Sequence, residues 1–174
     1  MIETLITSKT RIKILLKFFL NPETVSHMRA LASDLGESSN AVRLELNRLQ
    51  NAGMLMSYKE GNKKLFQVNN QHPLFEPINT IIKQHAGVDH IISNVLKGLG
   101  SIDKVYLTGS LANGLETNVI DIILIGDVNN EYLLETVQKI ERGLEKEIRC
   151  QVFSTSEAKL KNFNASEFLL IYEP

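Results

Sequence analysis

The segment SSNAVRLELNRLQNAGMLMSYKEGNKKLFQV, residues 38–68, carries the clearest structural pattern in the first part of the chain. Its first half repeats apolar residues at helical spacing, which predicts a helix from Ser38 or Ser39 to Asn51. Two short runs follow, Met54 to Lys59 and Lys63 to Val68, separated by Glu60-Gly61-Asn62. Because a Gly-Asn pair can supply the positive φ angles of a tight hairpin, we expect these runs to be antiparallel strands.

Two further helices are predicted upstream of this segment. The first runs from Ser8 to Leu20. The second runs from Ser26 to Leu35, with Ser26 as its expected N-cap and Gly36 just beyond its end. The turn between the second and third helices is short enough for a helix-turn-helix. Three helices followed by a hairpin therefore predict a winged helix-turn-helix domain over residues 1–70.

The exposed positions of this domain carry side chains suited to duplex DNA, because polar and basic groups contact base edges and phosphates. The predicted DNA contacts are Ser39, Asn40, Arg43, Asn47 and Arg48 on the third helix, and Lys59, Asn62, Lys63 and Lys64 on the hairpin. We expect Arg43 and Asn47 to read bases, and Arg48 and the lysines to hold phosphates. The alternative is a protein-binding winged helix whose charged faces are only solvated.

Net charge is divided unevenly along the chain. The 174 residues carry 19 Lys+Arg and 20 Asp+Glu, and this net charge of -1 taken alone argues against a nucleic-acid partner. Residues 1–70, however, hold ten basic and six acidic side chains, a net charge of +4, whereas residues 71–174 hold nine and fourteen, a net charge of -5. A basic part joined to an acidic part indicates one DNA-facing domain and one that DNA repels.

The second part of the chain alternates helices and strands. Residues 71–100 are interpreted as linker helices and a candidate dimer interface. Strands are predicted at Lys104–Leu107, Val119–Ile125 and Ile148–Phe153, and an amphipathic helix at Asn129–Leu144. This order predicts an α/β domain over residues 101–174, so the chain is assigned to the α+β class: a winged helix-turn-helix followed by an α/β domain.

A glycine-serine turn and a later aspartate, Gly109-Ser110 and Asp121, suggest chemistry in the second part. Backbone N–H groups at such a turn can hold a phosphate, and a carboxylate on the next strand can hold a metal ion. The stretch GSLANGLETNVIDIILIGDVN, residues 109–129, resembles the minimal signature of the DNA polymerase β nucleotidyltransferase superfamily, Gly-Ser-x-Ala-Arg-Gly, five residues, then Ser-Asp-x-Asp. The first domain resembles an ArsR-type winged helix. Fusion of the two through His72 to Phe75 resembles a family of prokaryotic transcriptional regulators with a nucleotidyltransferase-like domain.

The resemblance implies a nucleotide site that is only partly present. The vestigial nucleotide-binding set is Gly109, Ser110, Asn113, Gly114 and Asp121. Asn113 stands where the family has arginine, Ile120 replaces the serine, Ile123 replaces the second aspartate, and Gln151 occupies the expected position of the third carboxylate. Since two-metal phosphoryl transfer needs all three carboxylates, we expect no catalytic residue and no metal site, Asp121 being the one candidate ligand.

The other reactive side chains are assigned no chemical role: the cysteine is interpreted as a core residue and the histidines as surface residues. Cys150 falls in a predicted buried strand and is expected to be an inert thiol. The four histidines lack metal-ligand spacing. No cofactor is expected, since Mg²⁺ and nucleotide are required only if the second domain is active. The sequence shows neither a membrane span nor a secretory signal, so a cytoplasmic location is expected.

Three functions remain open at this point. The first is a sequence-specific, DNA-binding transcriptional regulator, acting as a homodimer, whose second domain is catalytically inactive and serves dimerisation or ligand sensing. The second is an active nucleotidyltransferase that transfers a nucleoside monophosphate to a protein or small molecule, with the winged helix as an autoregulatory module. The third retains binding of a nucleotide or small-molecule effector without catalysis. The missing carboxylates favour the first.

Overall fold

A computed structural model of the chain describes residues 2–95, 98–161, 163 and 167–174. The chain forms two compact units, residues 1–85 and 86–174. The α+β class is confirmed, since the first unit is a winged helix-turn-helix and the second is a mixed sheet with helices. The boundary between the two units lies at the end of the first helix within residues 71–100, so this predicted linker segment is divided between the units.

The first unit combines helices with a small antiparallel sheet. A 3₁₀ turn (Ile2–Thr4) precedes the helices, which are α1 (Lys9–Leu15, continued by a π-helical turn at Leu16–Leu20), α2 (Met28–Leu35), α3 (Ser39–Asn51) and α4 (Phe75–Ala86). The strands are β1 (Ser26–His27), β2 (Leu55–Glu60) and β3 (Lys63–Val68). Their order in the sheet is β1-β3-β2.

The predicted third helix and hairpin are confirmed. The Ser38 hydroxyl caps α3 by accepting a 3.2 Å hydrogen bond from the Ala41 N–H. Strands β2 and β3 pair from Leu55 opposite Val68 to Glu60 opposite Lys63. In the two-residue turn only Gly61 has a positive φ, +55°, so the expectation that Asn62 also adopts one is wrong. A single positive angle at the first turn position is the type II′ pattern, which suits the twist of a hairpin.

The start of the second helix differs from its prediction. Ser26 and His27 form β1 and pair with Phe66 and Leu65 of β3. The helix begins at Met28, and Nδ1 of His27 caps it by accepting a 3.2 Å hydrogen bond from the N–H of Ala30. Ser26 is therefore not the N-cap, because pairing with a distant strand holds its backbone extended. Gly36 does end the helix, with a φ of +62°.

Helix α4 is held to the rest of the first unit by polar and aromatic contacts. The Asn79 side-chain amide is buried and donates a 2.6 Å hydrogen bond to the carbonyl of Phe19. The rings of Phe19 and Phe75 stack with centroids 5.8 Å apart. Ile82 is fully buried. These contacts explain why a segment predicted as linker is part of the winged-helix unit.

The second unit is a sheet in the order β6-β5-β4-β7. Its elements are α5 (Val88–Val95), β4 (Gly100–Thr108), α6 (Gly109–Ala112), β5 (Val119–Val128), α7 (Asn130–Leu144), β6 (Glu147–Phe153), α8 (Thr155–Leu160) and β7 (Leu169–Tyr172). Strands β5 and β6 are parallel and the other pairs are antiparallel. Strand β7 was not predicted; it pairs with β4, which lies far from it in sequence.

The side chains of β5 alternate between the two faces of this sheet. Ile120, Ile122 and Leu124 alternate along β5 on one face and are almost fully buried. The Ile120 side chain approaches Gly87 together with Leu144 of α7, so this face lies against the helices. The opposite face carries Asp121 and Ile123, since side chains two residues apart on a strand share a face.

No helix in the described part of the chain has both the length and the apolar character needed to cross a membrane.

Candidate nucleic-acid interface

A groove of about 600 Å³ lies in the first unit, where the start of α2, the exposed face of α3 and the hairpin converge. Its polar lining residues are Arg29, Arg43, Lys63, Lys64, Asn47, Asn62 and His27. Among the described residues, no acidic side chain lines the groove. Four cations and two amides therefore come together from three separate stretches of sequence, which is the electrostatic arrangement that attracts a polyanion.

Helix α3 presents its groove-facing side chains in an ordered row. Arg43 donates a 2.7 Å hydrogen bond from Nη2 to the side-chain oxygen of Asn40, one turn earlier. Asn47 lies one turn further along the same face and also lines the groove. Ser39 and Asn40 are exposed in the first turn of α3, where helix N–H groups favour an anion. These four predicted contacts share one face of the helix.

Arg48 does not belong to this row. It lies five positions after Arg43, about 140° around the helix axis. Its Nη1 donates a 2.8 Å hydrogen bond to Glu45, which also accepts a 2.7 Å bond from Nε of Arg11. Glu45 is only 4% exposed. The structure therefore separates Arg48 from the other predicted DNA contacts, because its charge is directed to a buried carboxylate on the far side of α3.

The hairpin is tied to α3 by a residue that the sequence did not single out. The side chain of Gln50 donates a 2.8 Å hydrogen bond to the Ser57 hydroxyl and accepts another of 2.8 Å from Nζ of Lys64. Lys64 also lies 4.9 Å above the ring of Phe66. Lys59 is the direct strand partner of Lys64, so both lysines lie on the hairpin face that meets α3.

Two further groove residues were also missed. Arg29, exposed on the first turn of α2, and His27, which caps that helix, both line the groove. Counting exposed basic residues on the helix before the turn could have found Arg29. No local signal identified His27, because its position depends on the pairing of β1 with β3.

The glycine-serine turn of the second unit has the geometry expected of a tight strand-to-helix junction. Gly109 has a φ of +69°, and a Cβ placed on it would lie 2.8 Å from Oδ2 of Asp121. The carboxylate thus packs directly against the glycine. The turn is closed by its own hydrogen bonds, from the Asn113 side chain to the Gly109 carbonyl and from the Leu115 N–H to the Ser110 carbonyl. Gly114 ends it with a φ of +67°.

The positions expected to hold the second and third carboxylates lie side by side. Ile123 of β5 and Gln151 of β6 are strand partners, two residue pairs beyond the pair formed by Asp121 and Arg149. Both line a cavity of about 260 Å³ whose other walls are Phe153, Lys161, Phe163 and Phe168. The ring of Phe163 stacks on Tyr106 at 5.3 Å, and Lys161 lies 3.9 Å above the Phe153 ring. Mainly apolar and aromatic side chains therefore surround the two positions at which the sequence resemblance implied carboxylates.

Metal-ligating side chains are correspondingly sparse. Within the described ranges, no group of three or more His, Cys, Asp or Glu side chains is placed to hold a metal ion. Asp121 has Arg149 as its strand partner. The hydrogen bond to Glu147 and the charge of that carboxylate raise the pKa of Arg149, and the charge of Asp121 adds a smaller effect. Asp121 therefore has a basic neighbour rather than a second acid.

No protein-family model and no curated protein matches this chain. Solved structures with partial similarity include AF1382 from Archaeoglobus fulgidus, at 17% identity and a TM-score of 0.39, covering 54% of this chain and 99% of that one. The adhesin competence repressor AdcR of Streptococcus pyogenes aligns at 21% identity with a TM-score of 0.40, and the alignment covers 55% of this chain and 70% of AdcR. A variant of ZitR from Lactococcus lactis aligns at 22% identity with a TM-score of 0.39, and the alignment covers 56% of this chain and 73% of ZitR. Each of these similarities extends over little more than half of the chain.

Proposed function

We propose that the protein is a DNA-binding transcriptional regulator that binds duplex DNA through the groove of its winged-helix unit. The observation that carries this proposal is the convergence of Arg29, Arg43, Lys63 and Lys64 on one groove without an acidic lining residue. Phosphate contacts supply most of the affinity of such interfaces, and they require cations held along one surface.

The proposed contacts follow from the positions of the side chains. Helix α3 enters the major groove, where Arg43 and Asn47 have the donors and acceptors needed to read base edges. Lys59, Lys63, Lys64 and Arg29 hold phosphates, and Asn62 adds an amide at the hairpin tip. Ser39 and Asn40 contact a phosphate at the start of α3. Arg48 is left out of the proposed interface because it is paired with Glu45.

A homodimer is proposed as the DNA-binding form. One winged helix covers only a few base pairs, and a two-fold operator bound by two copies doubles the contact surface. The formal net charge of residues 71–174 is -5, so the second unit is repelled by the phosphates and leaves the winged helices as the contact.

We further propose that the second unit is nucleotidyltransferase-like in form, inactive in catalysis, and used for dimerisation or effector sensing. Ile123 and Gln151 replace two carboxylates, and aromatic rings line the cavity beside them. Isoleucine cannot ligate a hard divalent cation, and a single aspartate is too few anionic ligands for two-metal transfer. No cofactor is assigned to this unit.

The proposal is tested by selection from a pool of random duplexes. Full-length protein immobilised at low salt should retain duplex, and successive rounds at physiological salt should enrich a shared sequence of two-fold symmetry. Arg43→Gln should weaken retention and relax the enriched sequence at the base pair that Arg43 reads, whereas Arg149→Gln, which removes an exposed arginine from the second unit, should leave both unchanged. Failure to retain any duplex at low salt contradicts the proposal, since phosphate contacts alone should suffice there.

A further inference from the structure

A second cavity, of about 370 Å³, lies on the side of α3 that faces away from the DNA groove. It is bordered within the first unit by the N-terminal segment, α1, the end of α3 with the residues that follow it, and α4, and nine of its eleven lining residues are apolar. Its walls include Ile2, Leu15, Leu49, Ile78 and Ile82. Ile81 lies at its opening and remains 46% exposed. An apolar space of this kind, open on one side, suits a hydrocarbon tail.

The two polar lining residues are both arginines. Arg11 and Arg48 flank the cavity and share one carboxylate, that of Glu45. Two guanidinium groups and one carboxylate leave a net charge of +1 at this edge. Arg48 uses Nη1 for Glu45, and its side chain is 62% exposed. For Nε and Nη2 of Arg48 the described residues provide no partner, so the fork of donors that fits a second carboxylate stays available.

The size of the cavity limits the ligand. A volume of 370 Å³ corresponds to about a dozen groups of the size of a water molecule, at roughly 30 Å³ each. A straight-chain carboxylic acid of about ten carbons has this size. We propose that the cavity binds a medium-chain carboxylate, its hydrocarbon tail among Leu15, Leu49, Ile78 and Ile82 and its carboxylate on Arg48.

The position of the site connects it to the DNA groove. Helix α3 contributes Arg48 and Leu49 to the cavity, which its C-cap Ala52 also lines, and Arg43 and Asn47 to the groove on its opposite face. An effect of the ligand on DNA binding rests on the proposed function. Ligand binding itself does not, so the two claims can fail separately.

The test is calorimetric titration of the full chain with decanoate below its micelle concentration. We expect saturable binding of one decanoate per chain, weakening about fourfold for each methylene removed in a series down to hexanoate, since each buried CH₂ contributes a constant increment. Decanol should bind at least tenfold more weakly than decanoate because it lacks the charge that Arg48 recognises.

Matched variants separate this site from nonspecific binding. Arg48→Gln should weaken decanoate binding at least tenfold, and Ala52→Leu, which narrows the cavity without removing a core side chain, should also weaken it. Arg43→Gln, on the opposite face of the same helix, should have no effect. No binding, or equal binding to wild type and Arg48→Gln, overturns the proposal. A stable dimer closed over Ile81, insensitive to decanoate and dissociated by Ile81→Glu, also overturns it, because the cavity is then filled by a second copy.

Discussion

Nζ of Lys64, on the hairpin, donates a 2.8 Å hydrogen bond to the side-chain carbonyl of Gln50, on α3. The amide of the same glutamine donates to Ser57 on the partner strand. One side chain thereby connects both strands of the hairpin to the helix that carries Arg43 and Asn47. The lysine is held at the groove by a neutral partner, so its charge remains available to a phosphate.

Replacing Gln50 tests whether this connection orients the hairpin. Gln50→Ala removes both hydrogen bonds and should weaken duplex binding about fivefold, equivalent to ~1 kcal/mol. Amide hydrogen exchange in the hairpin should also become faster. Gln67→Ala is the control, because Gln67 lies on the other face of β3, opposite Met56. Unchanged affinity and exchange in Gln50→Ala would show that the hairpin is positioned by the strand pairing alone.

The buried carboxylate of Glu45 makes stability depend on pH. Burial raises the pKa of Glu45, but the hydrogen bonds from Arg11 and Ser8 and the charges of Arg11 and Arg48 together outweigh burial, so the pKa lies below its usual value of 4.5. A lowered pKa in the folded state means that the ionised form stabilises the fold above the unfolded-state pKa and that this stabilisation is lost as pH falls through the folded-state pKa.

The Glu45→Gln variant isolates that contribution. At pH 7 its free energy of unfolding should be lower than that of wild type by about 1–2 kcal/mol, a range reduced for the solvent exposure of both arginines. The difference should shrink as the pH is lowered below about 4.5. Urea titrations of both proteins across this range measure it. A difference that stays constant down to pH 3 would mean that the charge of Glu45 contributes nothing.

The second unit should show neither metal-dependent catalysis nor metal binding. Incubation with labelled nucleoside triphosphates and Mg²⁺ should give no transfer to the chain or to lysate proteins, and Mg²⁺ should not raise the melting temperature. A ligand that binds only the folded state would raise it. Labelling that requires Mg²⁺ and disappears in Asp121→Asn, but persists in the exposed control Asp127→Asn, would establish the nucleotidyltransferase function instead.

Cys150 should be unreactive in the folded protein. Burial, with a smaller contribution from the negative charge of Glu141, raises the pKa of the thiol to about 12. The thiol is therefore neutral at pH 8, and the thiolate is the form that reacts. Alkylation at pH 8 should be slow in buffer and rapid in denaturant. Comparable rates in both conditions would show that the thiol is accessible and ionised.

Local patterns in the sequence were sufficient to predict α3 and the hairpin. Val42, Leu46 and Leu49 form the buried stripe of the helix, and Gly61 supplies the turn, so each element is specified by residues within it. Ser26 failed as an N-cap because its backbone is determined by Phe66, a partner in another strand. Strand β7 was missed for the same reason, since its pairing with β4 is a long-range interaction.

The sequence predicted which residue types form the candidate interface, but not every residue that belongs to it. Exposure and charge selected Arg43 and Arg48 equally. Their five-residue spacing places the two arginines about 140° apart around α3, and Glu45, buried between Arg48 and Arg11, pairs with Arg48. Gln50 was missed because its role depends on a hairpin that folds back to meet it. Contacts between side chains on different helices and strands therefore could not be predicted from the sequence pattern.

Binding of DNA in the groove between α3 and the hairpin is tested by the dependence of DNA affinity on salt, compared between wild type and variants of Arg43, Arg48 and Lys64. For binding of the full chain to a duplex, log K should fall linearly with log salt, with a slope of about -0.9 for each phosphate neutralised. Lys64→Gln should reduce the steepness by about one unit, and Arg43→Gln should weaken binding by ~1–3 kcal/mol, while Arg48→Gln leaves both quantities unchanged. A flat salt dependence, or an equal loss in Arg48→Gln and Arg43→Gln, would contradict binding of DNA in the groove between α3 and the hairpin.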